Sequence, residues 1–333
     1  MKRLAPAGVL TTSGPVADAD MTGWVPFGIR WETSGARIDW CDVGQVRFTD
    51  PFFDWTIDRR RREIGSINGD RVTSLEVLDR LPIARPPAGL VFHSSRCGST
   101  LVARMLASVP RFTVVSEARI LSSILRPLPQ FSAQDQARLL RNVVNALAQP
   151  RGARESPCFI KFTSRNLLYL PLIERAFPGV PWIFLYREPL EVMSALLRNR
   201  NDFLPSGLAE SGLLDEDAET VRAMRPAEFW AHVLARNYKA ALQAYAPGNG
   251  RLVNYRQLPE IVWESLLGFF GATGSDEEIA SMQAASRFNA KNPTRLFVDD
   301  TDAKRGVATD EMRAAVERLL RTDFERLESL RLA

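Results

Sequence analysis

Two rhythms of apolar residues divide the chain. In the first part, short β-like runs at 25–31 and 36–40 flank the turn-forming Thr33-Ser34-Gly35 and predict a hairpin. An aromatic cluster follows, Pro51-Phe52-Phe53-Asp54-Trp55, which reads either as a packing anchor or as one wall of a ligand pocket. Thr73-Ser74-Leu75-Glu76 predicts an N-cap and a short helix, and Pro82, Pro86 and Pro87 predict a linker. Past the prolines the rhythm changes. Near-continuous apolar runs at 89–93, 112–115, 158–162, 182–186 and 251–255 alternate with helical patterns at 99–108, 133–148, 166–176 and 228–246. Unbroken apolar runs suit strands buried on both faces. The alternation predicts an α/β chain with a doubly wound parallel sheet flanked by helices, preceded by a short β-rich N-terminal segment. We divide it into an extension at 1–85 that packs on the core and a main domain at 86–333.

Composition narrows the function classes. Of 333 residues, 45% are hydrophobic and 25% charged, the profile of an ordinary globular protein. The net charge of +4 is a mild basic bias that suits a small anionic ligand. The Arg59-Arg60-Arg61-Arg62 cluster reads as a solvated helix face, and no basic run with interleaved aromatics points to nucleic acid. Cys41, Cys97 and Cys158 are widely spaced and only His93 and His232 are available, so no zinc site built from these types is expected. Sparse cysteines, with no signal peptide or membrane span recognised, lead us to expect a cytoplasmic protein. A homodimer is left open.

In an open parallel sheet, ligands bind at the carboxyl ends of the strands, so chemistry is sought there. The first main-domain strand runs into His93-Ser94-Ser95-Arg96-Cys97-Gly98-Ser99-Thr100-Leu101 and then a helix. Small residues and a glycine before a helix N-terminus make an anion cradle of backbone N–H groups. This is a P-loop-type turn, but position 93 is His where a Walker loop has Gly, and Ser99 stands where it has Lys. Arg96 is left to supply the cation. A chance strand-turn-helix with a capping serine is the plain alternative. The fold expected is therefore of P-loop type.

Arg96-Cys97-Gly98-Ser99-Thr100-Leu101 resembles the 5′-phosphosulfate loop of sulfotransferases that use 3′-phosphoadenosine 5′-phosphosulfate (PAPS), with Cys97 in place of the usual serine. Glu117-Ala118-Arg119, Lys161 and Arg187-Glu188-Pro189 follow. Their spacing is similar to the Glu-x-Arg, lysine and Arg-Asp elements of the tyrosylprotein sulfotransferases. The resemblance runs from about Gly89 to Ser194, then more weakly through Val253-Asn254-Tyr255-Arg256-Gln257-Leu258. Residues 1–85 have no counterpart in it.

The resemblance implies metal-free transfer of a sulfuryl group from PAPS to a hydroxyl or amine, leaving 3′-phosphoadenosine 5′-phosphate (PAP). It implies Glu117 as general base, Lys161 at the leaving oxygen and Arg96 on the phosphosulfate. Arg119 would orient Glu117 or the acceptor. Ser95 to Leu101 would form the cradle, with Tyr255 also at the nucleotide. Arg187 would grip the 3′-phosphate. The partner serine of the family falls here on Ala195, so Ser194, one residue earlier, is the candidate. Lys304-Arg305-Gly306 resembles the late basic loop over the 3′-phosphate. Each role has a plain alternative: a turn arginine, a helix-start carboxylate, an edge-strand lysine, a simple ion pair. His93 and His232 are read as structural. The acceptor is unnamed: a small molecule, lipid or peptide. Competing readings are a P-loop kinase or nucleotidase, which wants a Walker lysine and a strand-end aspartate for Mg²⁺, and a non-catalytic nucleotide-binding protein of the same fold.

Overall fold

A computed structural model describes residues 20–33, 35–65, 70–150, 157–198, 208, 212–296, 306 and 308–332. The N-terminal part is a three-stranded antiparallel sheet in the order β1 (Trp24–Glu32), β2 (Gly35–Asp42), β3 (Asp70–Ser74). The hairpin β1–β2 turns where the sequence predicts it. Helix α1 (Phe53–Ile64) lies between β2 and β3 in the chain. Three of its four arginines do more than meet water. Arg59 pairs with Asp50 at 3.0 Å, Arg61 with Asp70 at 2.7 Å, and Arg60 Nε donates to the Asp42 carbonyl at 3.1 Å. They tie the helix to the sheet and to the chain before it.

Thr73 and Ser74 belong to β3 and do not cap a helix. The Thr73 hydroxyl accepts a hydrogen bond from buried Trp40 Nε1 at 2.8 Å, so it is committed to the sheet. Helix α2 (Glu76–Arg80) follows with no side-chain cap.

The main sheet has five parallel strands: β4 (Gly89–His93), β5 (Thr113–Ser116), β6 (Cys158–Lys161), β7 (Trp182–Tyr186) and β8 (Gly250–Asn254). Their order is β5-β6-β4-β7-β8, so the chain steps out from β4 to one side, returns past it and ends on the other. Every residue of β4 and β7 is buried, which is why these runs carry no polar alternation. Alternate residues go to opposite faces. Leu90, Phe92, Trp182 and Phe184 enter a core shared with Val25, Ile38 and Trp40 of the N-terminal sheet, while Val91, Ile183 and Leu185 enter a second core.

The helices complete the layers. Helix α3 (Ser99–Ser108) covers the second core, which extends to Met282 of α10 (Asp276–Ser286). The first core is closed by α4 (Arg119–Leu125), α5 (Ala133–Leu147), α6 (Leu170–Ala176), α7 (Pro189–Leu197), α9 (Pro226–Ala244), α11 (Asp310–Leu319) and α12 (Arg321–Leu332). A short α8 (Ala218–Ala223) precedes α9, and the ribbon β9 (Phe288–Asn289) and β10 (Asn292–Leu296) precedes α11. The single helix expected at 166–176 is a 3₁₀ turn, Ser164–Tyr169, continuing into α6 with Pro171 in its first turn. Glu328 of α12 accepts hydrogen bonds from Tyr186 at the end of β7 and Asn254 at the end of β8. No helix of the described residues is long and apolar enough to cross a membrane.

Candidate active site

The carboxyl ends of the five strands present their chemistry in spatial order. Glu117 follows β5, Lys161 ends β6, the loop 94–98 follows β4, Arg187 follows β7 and Tyr255 follows β8. A cavity of about 720 Å³ opens along this edge. Ser95, Arg96, Cys97, Gly98, Ser99, Thr100, Leu101, Glu117, Arg187 and Tyr255 all line it.

The loop after β4 is held in a shape most residues avoid. Ser95, Arg96 and Gly98 have φ of 75°, 49° and 86°. Left-handed non-glycine residues cost free energy and persist where surrounding structure over-determines them. Here the His93 Nδ1 accepts the Ser95 N–H at 3.0 Å, and the Cys97 thiol donates to the Leu185 carbonyl at 3.1 Å. Cys97 is fully buried and burial pushes its thiol up to about 11, so it anchors the loop and offers the cavity its backbone. Gly98 is required twice. Its φ is left-handed, and a Cβ there would stand 2.6 Å from Leu258 Cδ1 and 2.9 Å from the Tyr255 ring. Among the described residues, no backbone carbonyl takes the N–H groups of residues 96–100 ahead of α3. Such a row of amides at a helix N-terminus is an anion site.

Glu117 also has a left-handed φ, 53°, at the strand-to-helix turn. Its amide is tied to the Lys161 carbonyl at 2.7 Å, and its carboxylate touches the Lys161 ammonium. Burial alone would raise the carboxyl, but the Lys161 charge and the His93 contact together outweigh it and hold Glu117 well below the usual carboxylate range. His93 Nε2 lies 3.4 Å from the same oxygen. Because its Nδ1 accepts from Ser95, the ring proton is assigned to Nε2, facing Glu117. Burial pushes the imidazole down, against the pull of Glu117, and so favours its neutral form. Lys161 is 1% exposed and does not itself line the cavity; it stands behind Glu117.

Arg187 is buried, pairs with Glu191 at 2.5 Å, and lies face-on to Tyr255 with its guanidinium carbon 3.9 Å from the ring centroid. Tyr255 therefore joins the two anion-facing parts of the edge, since the same ring packs on Gly98.

Two expected residues stand elsewhere. Arg119 does not reach Glu117. It is the exposed start of α4, and its side chain pairs with Asp54 at 3.3 Å. Ser194 is 1% exposed, its hydroxyl has no hydrogen-bond partner among the described residues, and it does not line the cavity; Ala195 and Leu196 do. One residue is about 100° around a helix, which turns Ser194 into the core. We expect Arg119→Ala and Ser194→Ala each to leave ligand binding in the cavity within about threefold, since an exposed ion pair contributes little and Ser194 does not face the cavity; calorimetry checks this. Lys304 and Arg305 lie outside the described residues.

Three further residues line the cavity; two of them escaped the sequence, and the third belongs to the aromatic cluster read there as an anchor or a pocket wall. Lys291, in the turn between β9 and β10, lies on the cavity wall in contact with solvent. Burial of its ammonium and the nearby Arg96 lower its pKa. The turn is fixed by Asn289 Oδ1, which accepts the Lys291 and Asn292 amides at 3.0 Å, and by Arg104 of α3 on the Asn289 carbonyl at 3.2 Å. Arg165 lies on the wall after β6; burial, with Arg126 beside it, lowers its pKa. Phe52 is the third. Its ring centroid is 5.5 Å from the Lys161 ammonium and 5.7 Å from that of Lys291. It is held there because Ser116 Oγ donates to the Pro51 carbonyl at 2.9 Å and the Arg119 amide to Asp54 at 3.2 Å. The cluster thus serves both readings: Phe52 lines the cavity, while Phe53 is buried in the first core.

No family model and no curated relative matches the chain. Among solved structures it is similar to the sulfotransferase domain of the Synechococcus olefin synthase, at 16% identity over 76% of this chain and 97% of that one, with a TM-score of 0.47. A sulfotransferase from Mycobacterium avium gives 13% identity, 74% and 79% coverage and a TM-score of 0.45. The sulfotransferase domain of the curacin biosynthetic pathway gives 17% identity, 74% and 98% coverage and a TM-score of 0.41. Each of these three structures to which the chain is similar is a sulfotransferase.

Proposed function

We propose that the protein is a sulfotransferase that moves a sulfuryl group from PAPS to a hydroxyl or amine. The observation that carries the reading is the convergence, on one sheet edge, of a left-handed anion loop bearing Arg96 with a carboxylate–ammonium pair, Glu117 and Lys161. The amides of 96–100 and Arg96 fit the 5′ anions, and Arg187 with Tyr255 fits the 3′ end. PAPS supplies the activated sulfuryl group. The chain's own work is to position, to take a proton and to meet growing charge.

Glu117 takes the acceptor proton. In the structure it is too well satisfied by Lys161 to be a strong base. An anion in the loop competes for the Lys161 ammonium, and Glu117 gains proton affinity as that ammonium turns away. Filling the loop therefore arms the base. The sign follows. With its pKa depressed, free Glu117 is ionised from pH 8 down to below the ordinary carboxylate range near 4, so kcat/KM for the donor shows no acid limb from it in that window. Once Lys161 is drawn off, an acid limb appears in kcat, at higher pH than in kcat/KM. Coincident limbs would refute the exchange.

A kinase or nucleotidase is the competing reading. It has no Walker lysine in this loop, and the end of β7 presents Arg187 rather than a carboxylate. Calorimetric titration with PAP against ATP plus Mg²⁺ decides between them. Preference for PAP, with sulfated product from labelled PAPS seen by mass spectrometry, supports the proposal; preference for ATP overturns it.

A further inference from the structure

We infer that the acceptor carries an anionic group, a carboxylate or a phosphate, which Arg165 binds beside the reacting hydroxyl or amine. The inference rests on the sulfuryl-transfer reading and names the substrate class of the same site. Arg165 sits in the 3₁₀ turn after β6, near the Glu117–Lys161 end of the sheet edge and away from Arg187 at β7. It is half-buried on the cavity wall, with Thr163 and Ser164 lining the same stretch.

Among the described residues no carboxylate stands within ion-pair distance of Arg165. Glu117 is near enough for its charge to be felt, but Lys161 already holds it. The charge felt most strongly at Arg165 is that of Arg126, which is of the same sign. A guanidinium that gives up water without a counter-ion is costly. Its planar fork is matched by a carboxylate or phosphate. The donor's anions have their own partners in the loop amides, Arg96, Lys291 and Arg187, so Arg165 is left for a different ligand. Its position beside the base makes that ligand the acceptor.

The test loads the full chain with PAP and titrates it calorimetrically with inorganic phosphate. We expect one further phosphate site, weakened at least about tenfold in Arg165→Gln and less in Arg165→Lys, which keeps the charge without the fork, with PAP affinity unchanged in both. In parallel, 4-hydroxyphenylacetate and 4-hydroxyphenyl phosphate are compared with methyl 4-hydroxyphenylacetate as acceptors from labelled PAPS. We expect the charged probes to be favoured in kcat/KM and the preference to collapse in Arg165→Gln; which of the two leads tells carboxylate from phosphate. A PAP-loaded protein with no phosphate site, a site that survives Arg165→Gln, or preference for the neutral ester overturns the inference. Failure of PAP itself to bind overturns the sulfuryl-transfer reading, and this inference with it.

Discussion

Replacing Glu117 by Gln lowers kcat by about 10³-fold, the usual weight of a positioned general base, and leaves PAP affinity within about threefold. The amide keeps the shape of the side chain and takes no proton. Lys161→Ala has an effect of similar size by a different route. It removes the cation that we propose for the leaving oxygen and leaves a half-buried Glu117 carboxylate without its Lys161 partner. Glu117 then regains proton affinity at rest, so the acid limb of kcat/KM moves up in pH. Because the two residues act as a unit, the double variant is expected to be little worse than either single one. Rapid-quench turnover and calorimetry read both. Two independent, multiplying losses, or a Glu117→Gln enzyme that keeps its kcat, would remove Glu117 from the chemistry.

Gly98→Ala abolishes measurable PAP binding, with affinity reduced by about 10²-fold or more. A left-handed alanine costs about 1–2 kcal/mol and overpacking a closed contact costs about 1–3 kcal/mol more. The new methyl meets Leu258 and Tyr255 together. Relief comes only by moving Tyr255, which carries Arg187 with it, or by flattening the loop, which scatters the amides. Both routes disable anion binding while the sheet beneath stays intact. Calorimetry together with unchanged far-ultraviolet circular dichroism is the measurement. A variant that folds and binds PAP like the parent would show that the loop is not the donor's cradle.

The parallel sheet was legible because its strands are buried on both faces and so appear as unbroken apolar runs. Glu117, Lys161, Arg96 and Arg187 were legible because each ends a strand or opens a turn, a position that sequence order alone supplies. Lys291 and Arg165 were not, and Phe52 was legible only as one of the two readings of its cluster. They reach the cavity through long-range packing: a ribbon clamped by Arg104, a 3₁₀ turn, and a segment stapled to Ser116. Arg119 misled for a related reason. Its pattern matched, but Asp54 comes from a part of the chain with no counterpart in the resemblance, and it claims the guanidinium. Ser194 shows how a single-residue offset on a helix swaps cavity for core.

The Pro51–Ser116 hydrogen bond also sets how such a protein can diversify. On the proposed reading, what faces the acceptor near Phe52 is carried by the segment that opens α1, outside the parallel layer, and the nucleotide grip is carried by that layer. One can be rewritten while the other stands, so changes of acceptor preference within this architecture are expected to gather in residues 50–55 and around Arg165 and to spare 94–98.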